Sequence, residues 1–175
     1  TKAMKKNVRK QGILLPISSI PSAYGIGTFG KESYRFVDFL EKSGNHLWQI
    51  LPLGPTGYGD SPYQSFSTFA GNPYLIDLDL LVEWGLLEQE EIDDRLLVGD
   101  PHKVDFKAQF DHRLPLLRKA YERGWNLYAK EVEAFRRSSG YWLKDYALYM
   151  AGKRKFQNAP WYEWEQGAKN REPEA

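Results

Sequence analysis

Three groups of residues in this chain have types and spacings that could do chemistry. Gly25, Gly27 and Gly30, in YGIGTFG, spell G-x-G-x-x-G, the spacing of a loop that cradles a dinucleotide pyrophosphate. Asp77 and Asp79 flank Leu78. On an extended strand the two carboxyls would share one face, roughly the ~5–5.5 Å separation that retaining glycoside chemistry uses. The third group is GYGDSPYQSFSTFAGNP, residues 57–73. Here Tyr58 and Tyr63 offer aromatic faces on which a sugar ring can stack. Asp60, Ser61, Gln64 and Asn72 offer short hydrogen-bonding groups, and Asp60 could accept from two hydroxyls at once. Gly57, Gly59 and Pro62 shape the backbone so that these groups can converge. The plain alternative is a surface loop packed on itself.

The first two groups are weakened by their surroundings. A dinucleotide loop follows its strand directly, so that a helix N-terminus meets the pyrophosphate. Here SSIPSAY separates Ile17 from Gly25, too long for that tight turn. The ribose-binding acid expected about 20 positions on is missing from Trp48–Leu51, and Asp38 and Glu41 fall on a helix. A nucleotide-binding oxidoreductase is therefore a remote alternative. Asp77 and Asp79 read more simply as a turn and a helix N-cap, because LLVEWGLL follows at once. His46, His102 and His112 are isolated, without the spacing of a metal site. Asp105, Asp111 and His112 could be neighbours, but a solvated helix face explains them. Ser18, Ser19, Ser61, Ser65 and Ser67 lack the G-x-S-x-G setting of a hydrolase nucleophile. Lys153, Arg154 and Lys155 suit a helix C-terminus.

The elements that must position these residues follow from periodicity. GILLPI, residues 12–17, predicts a buried strand. Residues 29–42 predict a helix with Thr28 as N-cap and Gly44 as its stop. HLWQILPL, residues 46–53, predicts a second strand, apolar enough to be a parallel strand covered on both faces. Strand, helix and strand in about 45 residues make one βαβ unit. Residues 54–72 then form a loop too long to be a mere connection. An extended piece from Pro73 leads into a helix, and residues 87–97 predict an acidic amphipathic helix broken at Asp100-Pro101. Helices are expected over about 110–123, 128–137 and 141–154, with Pro115 in the first turn of its helix or kinking it. No internal repeat appears, and one βαβ unit with a helical appendage does not close a sheet.

Composition narrows the function class. The 175 residues are 42% apolar and carry a net charge of +1, which suits a globular chain and gives no electrostatic support for a nucleic-acid or membrane-surface partner. Cysteine is absent, so disulfides and thiolate metal sites are excluded. The basic N-terminus lacks the apolar core of a secretory signal, and no run reaches the ~18 apolar residues of a membrane span; the expectation is a cytoplasmic protein. Aromatic residues make up 15%, partly core material and partly candidate sugar-stacking surface.

GILLPISSIPSAYGIGTFG, WQILPLGPTGYGDSPYQSFSTFAGNPYLIDLDLL and DYALYMA strongly resemble the N-terminal part of the 4-α-glucanotransferases, the amylomaltases or disproportionating enzymes. The match runs from about Gly12 to at least Lys155. The resemblance implies a (β/α)8 TIM barrel with inserted helical subdomains, an α/β fold of which this chain would be the N-terminal part. Residues 1–11 would be a tail, 12–80 the first βα units with a substrate loop at 54–72, and 81–175 a mostly helical subdomain. The implied activity transfers α-1,4-glucan segments to glucose or maltooligosaccharide acceptors by a retaining double displacement, with no metal or organic cofactor. Tyr63, in DSPY, is similar to the family tyrosine that stacks on the donor sugar. Asp60 and Ser61 resemble its polar flanks, and Tyr58 resembles the tyrosine of a second, surface glucan site. The family's nucleophile, acid/base and third carboxylate come from later strands, so none is assigned here and the chain alone is expected to be inactive. A non-catalytic glucan-binding or scaffold piece is the alternative, and open barrel edges would favour self-association.

Overall fold

The computed structural model describes residues 9–57, 59–100 and 102–172. The chain forms two compact units, Thr1–Leu127 and Tyr128–Ala175.

The first unit begins with the expected βαβ unit. Strand β1 (Gly12–Leu14) and strand β2 (Leu47–Gln49) flank helix α1 (Lys31–Lys42) and pair in parallel, Gly12 opposite Leu47 and Leu14 opposite Gln49. The His46 N–H to Gln11 carbonyl bond and the Leu15 N–H to Gln49 carbonyl bond, each 3.0 Å, extend the ladder at both ends. Both strands are shorter than their apolar runs. Pro16 has no N–H to continue β1, and the chain turns at once into a 3-10 turn, Ile17–Ser19. The expectation of two covered faces is not met either, since Leu14 and Leu47 are 55% and 53% exposed.

Helix α1 starts later than its pattern suggests. Gly30 is the N-cap, because the Thr28 hydroxyl is committed elsewhere, donating to Asp77 Oδ2 at 2.5 Å. The stop is as expected: Gly44 has φ +71°, and its N–H reaches the Glu41 carbonyl at 3.0 Å. The inner face of α1 meets the sheet through Phe36, whose ring lies edge-on to Trp48 at 4.9 Å.

The G-x-G-x-x-G stretch is a packing device. Gly25 has φ +75°, and a Cβ there would overlap the Leu97 carbonyl oxygen. At Gly27 it would overlap the Ile17 carbonyl oxygen, and at Gly30 the Asp77 carboxylate. Bare backbone is required at Gly25 and Gly27, where the overlapping atoms are main chain, while at Gly30 a Cβ would displace the Asp77 carboxylate.

Helix α2 (Leu78–Glu83) follows a 3-10 turn at Pro73–Leu75, with Asp77 as its N-cap. The single helix expected over 87–97 is instead a 3-10 turn, Gln89–Glu91, and a short helix α3 (Asp94–Leu97). Asp93 divides them by capping α3, accepting from the Arg95 N–H at 3.1 Å; a short acid competes for backbone this way wherever a cap is available. Helix α4 (Phe106–Ala108) runs through a wide π turn, Gln109–Arg113, into α5 (Leu114–Leu127). Pro115 thus sits in the first turn of α5, and the wide turn lies where its missing N–H would interrupt a regular ladder. Tyr24, Leu78, Leu81, Leu87, Leu97 and Ala120 belong to one buried core, and Ile17, Ile20 and Leu75 form another against Leu15, Trp48 and Leu53.

The second unit contains α6 (Ala129–Ser138), α7 (Gly140–Lys155) and α8 (Gln166–Asn170). Its buried anchor is Trp164, stacked on Phe156 at 5.2 Å and bonded from Nε1 to the Ala159 carbonyl at 3.0 Å. Lys153, Arg154 and Lys155 close α7, the favourable end of its dipole for cations. Among the described residues no helix is long and apolar enough to cross a membrane.

The glycine contacts make a direct prediction. Gly27→Ala will cost about 2 kcal/mol or more through overpacking against backbone. Gly71→Ala, whose Cβ meets nothing within 4 Å, will stay within about 0.5 kcal/mol. Urea unfolding followed by Trp fluorescence separates the two.

Candidate functional site

The loop after β2 is closed at its base and elaborated at its tip. The Asn72 N–H donates to the Leu53 carbonyl at 2.7 Å, so the chain leaves and returns at one point. Thr56 and Ser65 form an antiparallel bridge just above. Gly54 permits this closeness, because a Cβ there would overlap the Ser65 hydroxyl. Beyond the bridge the backbone turns tightly, with Asp60 N–H to the Gly57 carbonyl and Gln64 N–H to the Ser61 carbonyl, both 3.1 Å. Asp60 adopts φ +52°, a left-handed conformation that aspartate tolerates better than most residues.

The serines of this region serve the backbone. Ser61 Oγ accepts from the Tyr63 N–H at 3.4 Å. Ser65 Oγ donates to the Ser67 carbonyl at 2.6 Å, and Ser67 Oγ accepts from Phe69 and Ala70 N–H at 3.1 Å. The result is a foot closed by its own backbone and serine hydroxyls, carrying a small polar tip.

Three of the four residues singled out from the sequence lie together on that tip. Tyr63 is 73% exposed, so its ring offers a face for stacking. Asp60 is half-buried, and its Oδ1 lies 3.4 Å from the Thr56 hydroxyl, which donates to it. Burial pushes the Asp60 carboxyl above its ordinary pKa, and the Thr56 contact opposes that. Ser61 is half-buried between them in sequence. Tyr58 lies outside the described residues. Gln64 is exposed, whereas Asn72 is spent at the foot, where its side chain accepts from the Tyr74 N–H at 3.0 Å.

Asp77 and Asp79 do not form a facing pair on a strand. Asp77 Oδ1 accepts from the Leu80 N–H at 3.0 Å as a cap. Asp79, one residue into α2, accepts from the Tyr24 hydroxyl at 2.5 Å and pairs with Lys31 at 2.9 Å. A cavity of about 660 Å³ lies beside the loop foot rather than at its tip, lined by Phe29, Leu53, Asn72, Leu80 and Trp84 among others. Its predominantly apolar wall offers few partners for sugar hydroxyls. Among the described residues no cluster of three or more His, Asp or Glu could hold a metal ion.

Residues 15–175 match the model of glycoside hydrolase family 77, described as 4-alpha-glucanotransferase. The chain belongs to the 4-alpha-glucanotransferase family. It is 50% identical over 162 residues to the 4-alpha-glucanotransferase of Streptococcus pneumoniae serotype 4, covering 92% of this chain and 32% of that protein. The Thermus thermophilus 4-alpha-glucanotransferase is 44% identical over 173 residues, with 95% and 33% covered. Among solved structures, amylomaltase from Streptococcus agalactiae in complex with acarbose superposes with a TM-score of 0.88 at 41% identity, over 95% of this chain and 34% of that one. The chain therefore spans about a third of the length of the 4-alpha-glucanotransferases it matches, and its mixed helical structure with a small parallel sheet is a partial α/β arrangement.

The residue that sequence reading missed on this side of the molecule is Tyr24, which precedes the glycines and reaches α2 through Asp79. Its hydroxyl holds the Asp79 carboxyl below the ordinary aspartate range; burial opposes this, and Lys31 assists. A carboxyl depressed in the folded state contributes stability that is complete above the unfolded value near pH 4 and is lost as pH falls through the lower folded value. Asp79→Asn should therefore lower the melting temperature most at neutral pH. The gap to wild type should shrink in thermal melts taken from about pH 5 down to about pH 2; a gap independent of pH would contradict the assignment.

Proposed function

We propose that this chain is the N-terminal portion of a 4-alpha-glucanotransferase and supplies one wall of a glucan site completed by sequence beyond it. The supporting observation is the family match over residues 15–175, joined to the likeness to an amylomaltase solved with acarbose. In this reading the βαβ unit is the start of a (β/α)8 barrel. The 54–72 loop follows β2, at the strand end where barrel sites lie. Residues 81–175 belong to a helical subdomain. The protein is cytoplasmic and acts on α-1,4-glucans and maltooligosaccharides.

Each tip residue then has one task. The Tyr63 ring stacks on a pyranose face. Asp60 accepts hydrogen bonds from sugar hydroxyls, and Ser61 sets the turn that presents Tyr63 while offering its hydroxyl to the same sugar. Tyr58 belongs to a second glucan contact. The reaction replaces one glycosidic bond by another: an enzyme carboxylate displaces the leaving sugar to give a glycosyl-enzyme, and an acceptor 4-hydroxyl then displaces that carboxylate. A second carboxyl gives its proton to the leaving oxygen and takes one from the acceptor. Neither role falls to Asp77 or Asp79, whose oxygens are committed to Leu80, Thr28, Tyr24 and Lys31.

Maltotriose given to the family-length protein that carries this chain should release glucose, and a folded protein that releases none overturns the reading. In that protein Tyr63→Ala should weaken donor binding roughly tenfold, about 1.4 kcal/mol. The alternative, a glucan-binding piece without chemistry, predicts saturable maltoheptaose binding by the 175-residue chain in Trp fluorescence, lost in the same variant. The exposed Leu14, Leu47 and Ile50 on and beside the two-stranded sheet point to self-association of the isolated chain. Sedimentation velocity should show dimers or larger species at micromolar concentration, and a monodisperse monomer would exclude them.

A further inference from the structure

Two polar side chains sit fully buried one turn apart on the π segment, and neither belongs to the candidate sugar contacts. Gln109 and Arg113 are both 0% exposed. Gln109 Nε2 donates to the Tyr24 carbonyl at 2.9 Å and the Leu97 carbonyl at 3.0 Å. Its Oε1 accepts from Arg113 Nη1 at 3.3 Å. Arg113 Nη2 donates to the Ile76 carbonyl at 2.5 Å. Two side chains thereby hold the carbonyls of three segments far apart in sequence.

This arrangement is expensive as a mere filler. Among the described residues Arg113 has no carboxylate in hydrogen-bonding contact, and its Nε has no partner. Burial brings its pKa down to about 10, with Asp77 and Tyr24 opposing, so it stays charged at neutral pH. A buried cation of this kind stabilises less than an apolar side chain of similar volume would. What it adds is direction, because a guanidinium N–H fixes one carbonyl at one angle.

The carbonyls it helps fix are at informative places. Ile76 immediately precedes Asp77, whose carboxylate gathers Thr28 and the start of α2. The Leu75 carbonyl accepts from the Phe29 N–H at 3.0 Å. These residues lie just beyond Asn72, where the 54–72 loop rejoins its own foot. Tyr24 immediately precedes the first glycine of the other loop.

We propose that Arg113 and Gln109 are positioning residues, Arg113 for the returning foot of the 54–72 loop and Gln109 for the glycine loop at 24–30. They act through backbone and touch no sugar; their relevance to glucan binding rests on the function proposed above. Four positions apart on one helical segment, both fall on its buried side.

Amide hydrogen exchange on the 175-residue chain, without glucan, tests this. Arg113→Met should speed exchange on the order of tenfold or more at Phe29, Leu75, Ile76 and Leu80. Leu15 and His46 in the β1–β2 ladder should keep their rates. Gln109→Leu should instead speed Gly27 and Val98 and leave Leu80 alone. Arg113→Lys, which keeps a charged donor, should recover most of the protection lost in Arg113→Met, and it carries the comparison with wild type should Arg113→Met not fold. A rise shared equally by the ladder, no rise at all, or the same residues responding to both substitutions would overturn the proposal and leave only a general contribution to the core. Because exchange is read without substrate, its failure leaves the glucan reading standing, and a protein that releases no glucose leaves the exchange pattern standing.

Discussion

One carboxylate, that of Asp77, joins the parts of the first unit that matter for the site. Its Oδ1 caps α2 through Leu80, and its Oδ2 takes the Thr28 hydroxyl. The same group lies so close to Gly30 that a Cβ there would displace it. The start of α1, the end of the 54–72 loop and the start of α2 are thus referred to a single half-buried group. A charged acceptor at two helix starts is favoured by their dipoles as well as by the hydrogen bonds. Displacing it would leave a hydroxyl and a helix N–H without partners at once.

The parts of this arrangement that depend on neighbours in sequence were legible. The βαβ unit, the Gly44 stop, the Asp77 cap and the three long helices after residue 113 each follow from periodicity or from one residue's local preference. The 54–72 loop stood out as a candidate site by its length and its mixture of glycine, aromatic and short polar residues. Its foot was not, because the Asn72–Leu53 bond and the Thr56–Ser65 bridge join residues with no pattern of their own. Thr28 was misplaced for a related reason: a hydroxyl three residues before a helix looks like a cap until a better acceptor arrives from 49 positions away. Gln109 and Arg113 were the least legible. On a helix rich in Lys, Arg and Asp, two more polar residues read as solvated face, and only the fold reveals that theirs is the buried side.

The site itself divides into a rigid part and an open part, and the division has a physical basis. Every serine described in the loop bonds nearby backbone through its hydroxyl, Ser61 and Ser67 as acceptors, and the base is closed by main-chain bonds. Tyr63 and Asp60 remain at the end of this support, one exposed and one partly desolvated. A stacking residue must keep an open face to be useful, whereas a carboxylate that grips hydroxyls gains strength where water is thinned. The loop supplies both conditions within four residues.

The glycine triplet shows why spacing alone is an unsafe guide to ligand. A dinucleotide loop uses glycines because a pyrophosphate must approach bare backbone and a helix must pack against a strand. Here the same three positions are bare because the Leu97 carbonyl, the Ile17 carbonyl and the Asp77 carboxylate occupy the space. Two of those neighbours are themselves backbone, and the third is already bonded, so no room is left for a phosphate where the motif would put one. The physical demand, close approach without a Cβ, is common to both cases, and the identity of what approaches is written elsewhere in the chain. In this protein it is written for Gly25 and Gly30 in a later segment, through Leu97 and Asp77, and for Gly27 in the Ile17 turn. The glycine loop is therefore better understood as the receiving surface of that later segment than as a binding element in its own right.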